Sequence, residues 1–235
     1  MTDTNLASLC SVLQLVSPQL PIGGFSYSQG LEAAIEHGVV HDAASAQTWI
    51  GQALQLGFAQ CEAPLWYLQW QAWQTLDAAQ LRQWDAWFLA SRDNSEARAE
   101  TLQMGWSLRN LLVELQWGGA AGAAHRQLLQ DHTQWTLPTV FAAAVCLCHA
   151  SADTGLMAFG FTWLENQVAA AIKAIPLGQV AGQKLLLALH PQLLHMVEQA
   201  KRIAQANPPA LNTLTTQWSI LQARHEHQYS RLFRS

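Results

Sequence analysis

The sequence predicts an all-α, single-domain bundle of about nine or ten helices, and three observations lead there. Gln occurs 26 times, Ala 37 and Leu 35, whereas Val and Ile together reach only 17. The first three residue types favour helix, and β-branched residues favour strand. Apolar residues recur at three- and four-residue spacing between prolines and glycines, without the alternation of a strand. The 235 residues show no 30–45-residue repeat, low-complexity linker or composition shift that would mark a second domain.

Element by element, Leu6, Leu9, Val12 or Leu13, and Val16 set a first helix that Pro18 stops. Pro18–Tyr27 is an apolar loop with two prolines and the adjacent Gly23 and Gly24. Helix resumes near Ser28 and ends at Gly38, a left-handed cap position. Asp42 caps a third helix reaching about Cys61, Pro64 opens a fourth in its first turn, and Asp77 caps a fifth. The charged stretch from Arg92 to Glu100 opens a sixth, which ends at the Trp117-Gly118-Gly119 break. A short helix is expected near Ala123 to Leu129. Pro138 begins another to Ala150, and the next runs from about Gly155 to Ala174. Gln179 to Leu189 and Pro191 to about Ala206 read as two helices, and Leu211 to about Arg224 as the last.

Composition excludes several functions. Half of the residues are hydrophobic and 12% are charged, against a usual fraction of about 25%, which is the opposite of a disordered chain. A net charge of −4 with only three lysines leaves no basic track for nucleic acid. Asp153 is the sole formal charge between His132 and Leu164, but polar residues and Pro138 interrupt that stretch. It reads as two buried helices rather than a membrane span. The opening Met-Thr-Asp-Thr-Asn carries no basic region and no early apolar block, so no signal peptide is expected. The sequence has no phosphate-binding glycine loop, CxxC, HExxH or GxSxG, so no catalytic site and no cofactor are predicted.

Three groups of potential ligands occur in the sequence. Cys146 and His149 share a helix face and could meet a soft ion, but no third or fourth ligand is identifiable. Buried helix packing is the better reading. His190 and His195 do not share a face. His225 and His227 would point to one side of an extended tail and could hold a metal weakly, yet a solvated tail explains them as well. No metal site is predicted. The last residues carry Tyr229, Arg231, Leu232, Phe233 and Arg234, the residue types that dominate interface hot spots. They read as a docking segment, against disorder or packing on their own domain. In the Pro18–Tyr27 loop, Phe25 and Tyr27 either cover the core or form an apolar interaction patch.

Four segments together resemble the UreF family of urease accessory proteins. They are Leu15-Val-Ser-Pro-Gln-Leu-Pro-Ile-Gly-Gly-Phe-Ser-Tyr-Ser-Gln-Gly-Leu-Glu32, Glu96-Ala-Arg-Ala-Glu-Thr-Leu-Gln-Met-Gly105, Asn166 to Gln183, and His225 to Ser235. Their order is collinear over essentially the whole chain. Trp106 departs from the pattern, where a basic residue is expected. The resemblance implies a cytoplasmic, all-α homodimer without catalysis of its own. It also implies partnership with the accessory protein UreD (also called UreH) and the GTPase UreG in delivering nickel to urease apoprotein. By resemblance the loop through Gly24, Phe25 and Tyr27 lies near the surface that recruits the GTPase, Tyr229 to Arg234 order against UreD, and Ser28 and Glu32 are expected among the partner-binding residues. A bridging scaffold is the leading expectation. The alternatives are a regulator of GTP hydrolysis that lends Arg231 as an arginine finger, and a nickel carrier using His225 and His227.

Overall fold

The computed structural model describes residues 6–234. The first six helices among them are α1 (Leu6–Leu15), α2 (Leu31–Glu36), α3 (Ala43–Gln52), α4 (Glu62–Gln74), α5 (Ala78–Ala90) and α6 (Ser95–Glu114). The remaining five are α7 (Ala123–Gln130), α8 (Leu137–Leu147), α9 (Ala152–Ala174), α10 (Gln179–Ala204) and α11 (Thr216–His225). No strand forms among the described residues, so the all-α prediction holds, with eleven helices rather than nine or ten.

Several starts follow local chemistry. Asp42 accepts a hydrogen bond from the Ser45 backbone N–H at 2.8 Å, and the Ser45 hydroxyl accepts from the Asp42 backbone N–H at 3.0 Å, which closes a capping box. Asp77 accepts from the Ala79 and Gln80 backbone N–H groups. Asn94 and Ser151 cap α6 and α9 in the same way.

Three expectations change. The third helix does not stay α-helical to Cys61. It continues as a π-helical segment, Ala53–Phe58, in which the Ala59 N–H donates to the Leu54 carbonyl. Pro191 does not divide α10, because both it and Leu187, whose carbonyl loses its donor, lie on the exposed side of that helix. Water can satisfy that carbonyl there. The last helix begins at Thr216 rather than Leu211. Asn212 instead ties its N–H to the Gln60 carbonyl and its side chain to the Leu214 N–H, competing with helix.

The weakly charged segment forms the centre of the molecule. Every residue of α8 from Pro138 to Leu147 is buried, with α4, α6 and α9 packed around it. Phe141, Phe58 and Trp66 each pack a ring against Phe159. Trp73 donates its indole N–H to the Thr139 carbonyl. No described helix is long and apolar enough to cross a membrane.

The start of α8 is held from outside. Buried Asp85 of α5 accepts from the Thr136 backbone N–H at 2.9 Å, the Thr136 hydroxyl at 2.7 Å and the Thr139 hydroxyl at 2.5 Å. Asp85 thus caps α8 from another helix. Burial raises its carboxyl above the ordinary aspartate range, while the donated hydrogen bonds pull the other way. Alongside it, the Thr101 hydroxyl accepts from the Leu137 N–H, and Gly105 lies directly under the Trp135–Leu137 backbone. The Glu96–Gly105 segment therefore seats its C-terminal half against the central helix. Its N-terminal half faces the tail.

Candidate functional site

The apolar loop turns on Gly23, whose φ of 82° is a left-handed conformation suited to glycine. A single 3₁₀ turn, Gly24–Ser26, follows. Its two aromatic residues part in burial. Phe25 is 73% exposed, whereas Tyr27 is buried and covers the core. The Asn166 side chain donates to the Tyr27 carbonyl at 2.9 Å. Behind the loop, the Gln29 side chain donates to Glu100 at 2.6 Å and accepts from the Trp163 indole at 2.6 Å. The Gln29 carbonyl accepts from the Trp218 indole, also at 2.6 Å.

The tail folds back over α2. His225, the last residue of α11, is fully buried between two carboxylates. Its Nδ1 lies 2.7 Å from Glu96 Oε2, and its Nε2 lies 2.9 Å from Glu32 Oε2. Glu32 also accepts from the Leu232 and Phe233 N–H groups, and Glu96 accepts from the Arg231 guanidinium. Each ring nitrogen is held by a carboxylate oxygen, which fixes the imidazole at both ends. Phe233 is buried beneath the Lys173 ammonium, 4.4 Å from its ring centre. The Arg234 N–H then donates to the Ser26 carbonyl at 2.8 Å, tying the tail to the loop.

The structure therefore brings the two groups of predicted residues together. Phe25, Tyr229, Arg231, Leu232 and Arg234 are exposed, with Gly24 partly covered beside Phe25. Tyr27, Ser28, Glu32 and Phe233 are buried, so in this arrangement they shape the surface from beneath. Gln29, Glu96, Glu100, Asn166 and Lys173 all lie within the four motif segments, but spacing alone gives none of them a role. The available signal was Glu96 and Glu100 four residues apart, hence on one face of a helix.

The candidate ligands are arranged otherwise than an extended tail would place them. His225 ends a helix with both nitrogens occupied, so it does not form an outward pair with His227. No group of three potential ligands that could hold a metal occurs among the described residues. Cys146 is buried, accepts from the Gln74 amide, and has its thiol pushed up to about 12 by burial; that of Cys61 is pushed up to about 11. Cys148 is buried too, whereas Cys10 is exposed. At pH 8 a thiol-specific colorimetric reagent is expected to modify Cys10 rapidly and the other three only after denaturation. Rapid reaction of Cys146 in the native protein would contradict this.

Comparison with known proteins adds the family. A family model described as UreF matches residues 40–190. The urease accessory protein UreF of Delftia acidovorans is 60% identical over 238 aligned residues, covering all of both chains. That of Cupriavidus necator is 55% identical over 232 residues, 99% of this chain and all of the relative. A bifunctional urease accessory protein UreEF of Bordetella bronchiseptica is 51% identical over 227 residues, 97% of this chain and 52% of the longer protein. Set beside the helical fold and the four motif segments that meet at the loop and tail, these matches show that the chain belongs to the UreF family of urease accessory proteins.

Proposed function

We propose that the protein is a non-catalytic scaffold in urease maturation: a cytoplasmic homodimer that joins UreD (UreH) to the GTPase UreG, for GTP-dependent insertion of nickel into urease apoprotein. The observation that carries this reading is the single surface made by the Pro18–Tyr27 loop and the C-terminal tail, joined through Arg234 and Ser26. Phe25 is exposed on the glycine turn, and Tyr229, Arg231 and Leu232 are exposed along the tail that the Arg234–Ser26 hydrogen bond joins to it, residues of the kind that anchor interfaces. Loop and tail thus offer two recognition segments on one rigid base.

Deleting residues 226–235 is expected to abolish co-purification with UreD and leave the helical circular dichroism unchanged. Tyr229→Ala, which alters a fully exposed side chain, should weaken the same interaction without disturbing Glu32 or His225. Undiminished capture by the truncated chain would overturn the scaffold reading. Regulation of GTP hydrolysis through Arg231 is the weaker alternative, because that guanidinium is already paired with Glu96.

A further inference from the structure

Behind Phe25 a cavity of about 130 Å³ opens between the loop and α9. Its size is close to the roughly 150 Å³ that holds a benzene ring in an engineered protein cavity. Leu20, Ile22, Met104, Phe141 and Phe159 give it apolar walls. The charged residues that line it are all acidic: Glu62, Glu100 and Glu165, with no lysine, arginine or histidine among the described residues around it. Two of these carboxylates are engaged. Glu62 pairs with Arg92 at 2.8 Å, and Glu100 accepts from Gln29. Glu165 is half-buried on the cavity face of α9, alongside Thr162 and Asn166, and makes no hydrogen bond or ion pair with a described residue.

We propose that this cavity receives a lysine or arginine side chain from a partner protein, its aliphatic stem against the apolar walls and its cation on Glu165. The proposal rests on the reading of the loop as a partner surface and names the chemistry of the residue recognised there. A neutral apolar side chain would fill the walls but leave a partly desolvated carboxylate without a counter-charge, which is unfavourable. A carboxylate from the partner would add like charge to three others. A long cationic side chain satisfies both requirements, because its stem packs while its head stays near water. Burial already pushes the Glu165 carboxyl above the ordinary glutamate range, and an incoming cation would reverse that cost. Phe25, exposed at the rim, would close over the stem.

The test uses the full chain and a small probe, so it does not depend on which partner supplies the side chain. n-Butylammonium chloride and the neutral 1-butanol are titrated separately while the Met104 methyl and Trp163 indole N–H resonances are followed by NMR. Butylammonium is expected to bind about fivefold or more tightly than butanol, as a partly buried ion pair requires. Glu165→Gln should remove that preference while leaving butanol binding unchanged, and its folding is checked by circular dichroism. Equal binding of the two probes, shifts absent from both reporters, or an unaltered preference in Glu165→Gln would each overturn the proposal. Such a failure, with the tail deletion still abolishing UreD capture, would leave the scaffold reading standing.

Discussion

Replacing His225 with alanine is expected to destabilise the protein by about 3–5 kcal/mol, the range for removing one partner of a buried ionic group. The substitution leaves Glu32 and Glu96 facing one another across the vacated space, and both are largely buried. Glu96 keeps Arg231, and Glu32 keeps two main-chain donors, so part of the charge remains compensated. The expected result is therefore destabilisation centred on the tail rather than general collapse. Urea denaturation measures the total, and amide hydrogen exchange at Leu232, Phe233 and Arg234 measures the local release. His225→Gln fills much of the same volume with a neutral side chain that has only one donor group, and should fall between alanine and wild type. An unchanged midpoint together with slow exchange in the alanine variant would show that the carboxylates hold the tail unaided.

Gly105→Ala should have an effect of similar size and a different cause. In a helix interior this substitution ordinarily stabilises by about 1 kcal/mol, because alanine is the better helix former. Here the added methyl carbon would run into the Trp135 carbonyl oxygen and lie 2.9 Å from the Thr136 carbonyl carbon. Those neighbours are backbone and cannot swing aside as a flexible side chain would. The same strand of backbone carries the N–H that Asp85 caps and the N–H that Thr101 accepts. Moving it would strain both hydrogen bonds at the head of the central helix. A net loss of about 3 kcal/mol, or an insoluble chain, is expected. A rise in the urea midpoint would mean that α6 can shift without cost.

Much of this architecture was legible in the sequence wherever local chemistry decides. Asp42, Asp77 and Pro138 act on residues within one turn of themselves, so their roles follow from spacing alone. Pro191 reads as a break in the sequence but not in the fold, because a proline's effect on a helix depends on whether the carbonyl it leaves without a donor faces water, which is a tertiary fact. The π-helical turn likewise gave no local signal. At the candidate site, the residue types of the tail and the apolar loop pointed to an interface, and their resemblance to a family named its expected partners. The clamp itself was not legible. His225 meets Glu32 and Glu96 across 193 and 129 positions of sequence, and only the folded chain reveals that the most conspicuous histidine of the tail is turned inward. Glu165 escaped notice for a related reason. A single carboxylate on a helix becomes meaningful only when the surrounding wall proves to hold no cation.

Glu32 grips Leu232 and Phe233 by their main-chain N–H groups rather than by their side chains. Such a grip leaves the identities of the gripped residues unspecified and fixes only their direction. Leu232 and Phe233 lie in a bend that turns both N–H groups to one carboxylate, and their side chains part there: Phe233 is turned in, and Leu232 is turned out, 56% exposed. The segment is thus two-sided, fastened along one edge and legible along the other. A partner reading Tyr229 and Leu232 would not compete with the domain for Phe233, so recognition by another protein and attachment to its own need not be alternatives.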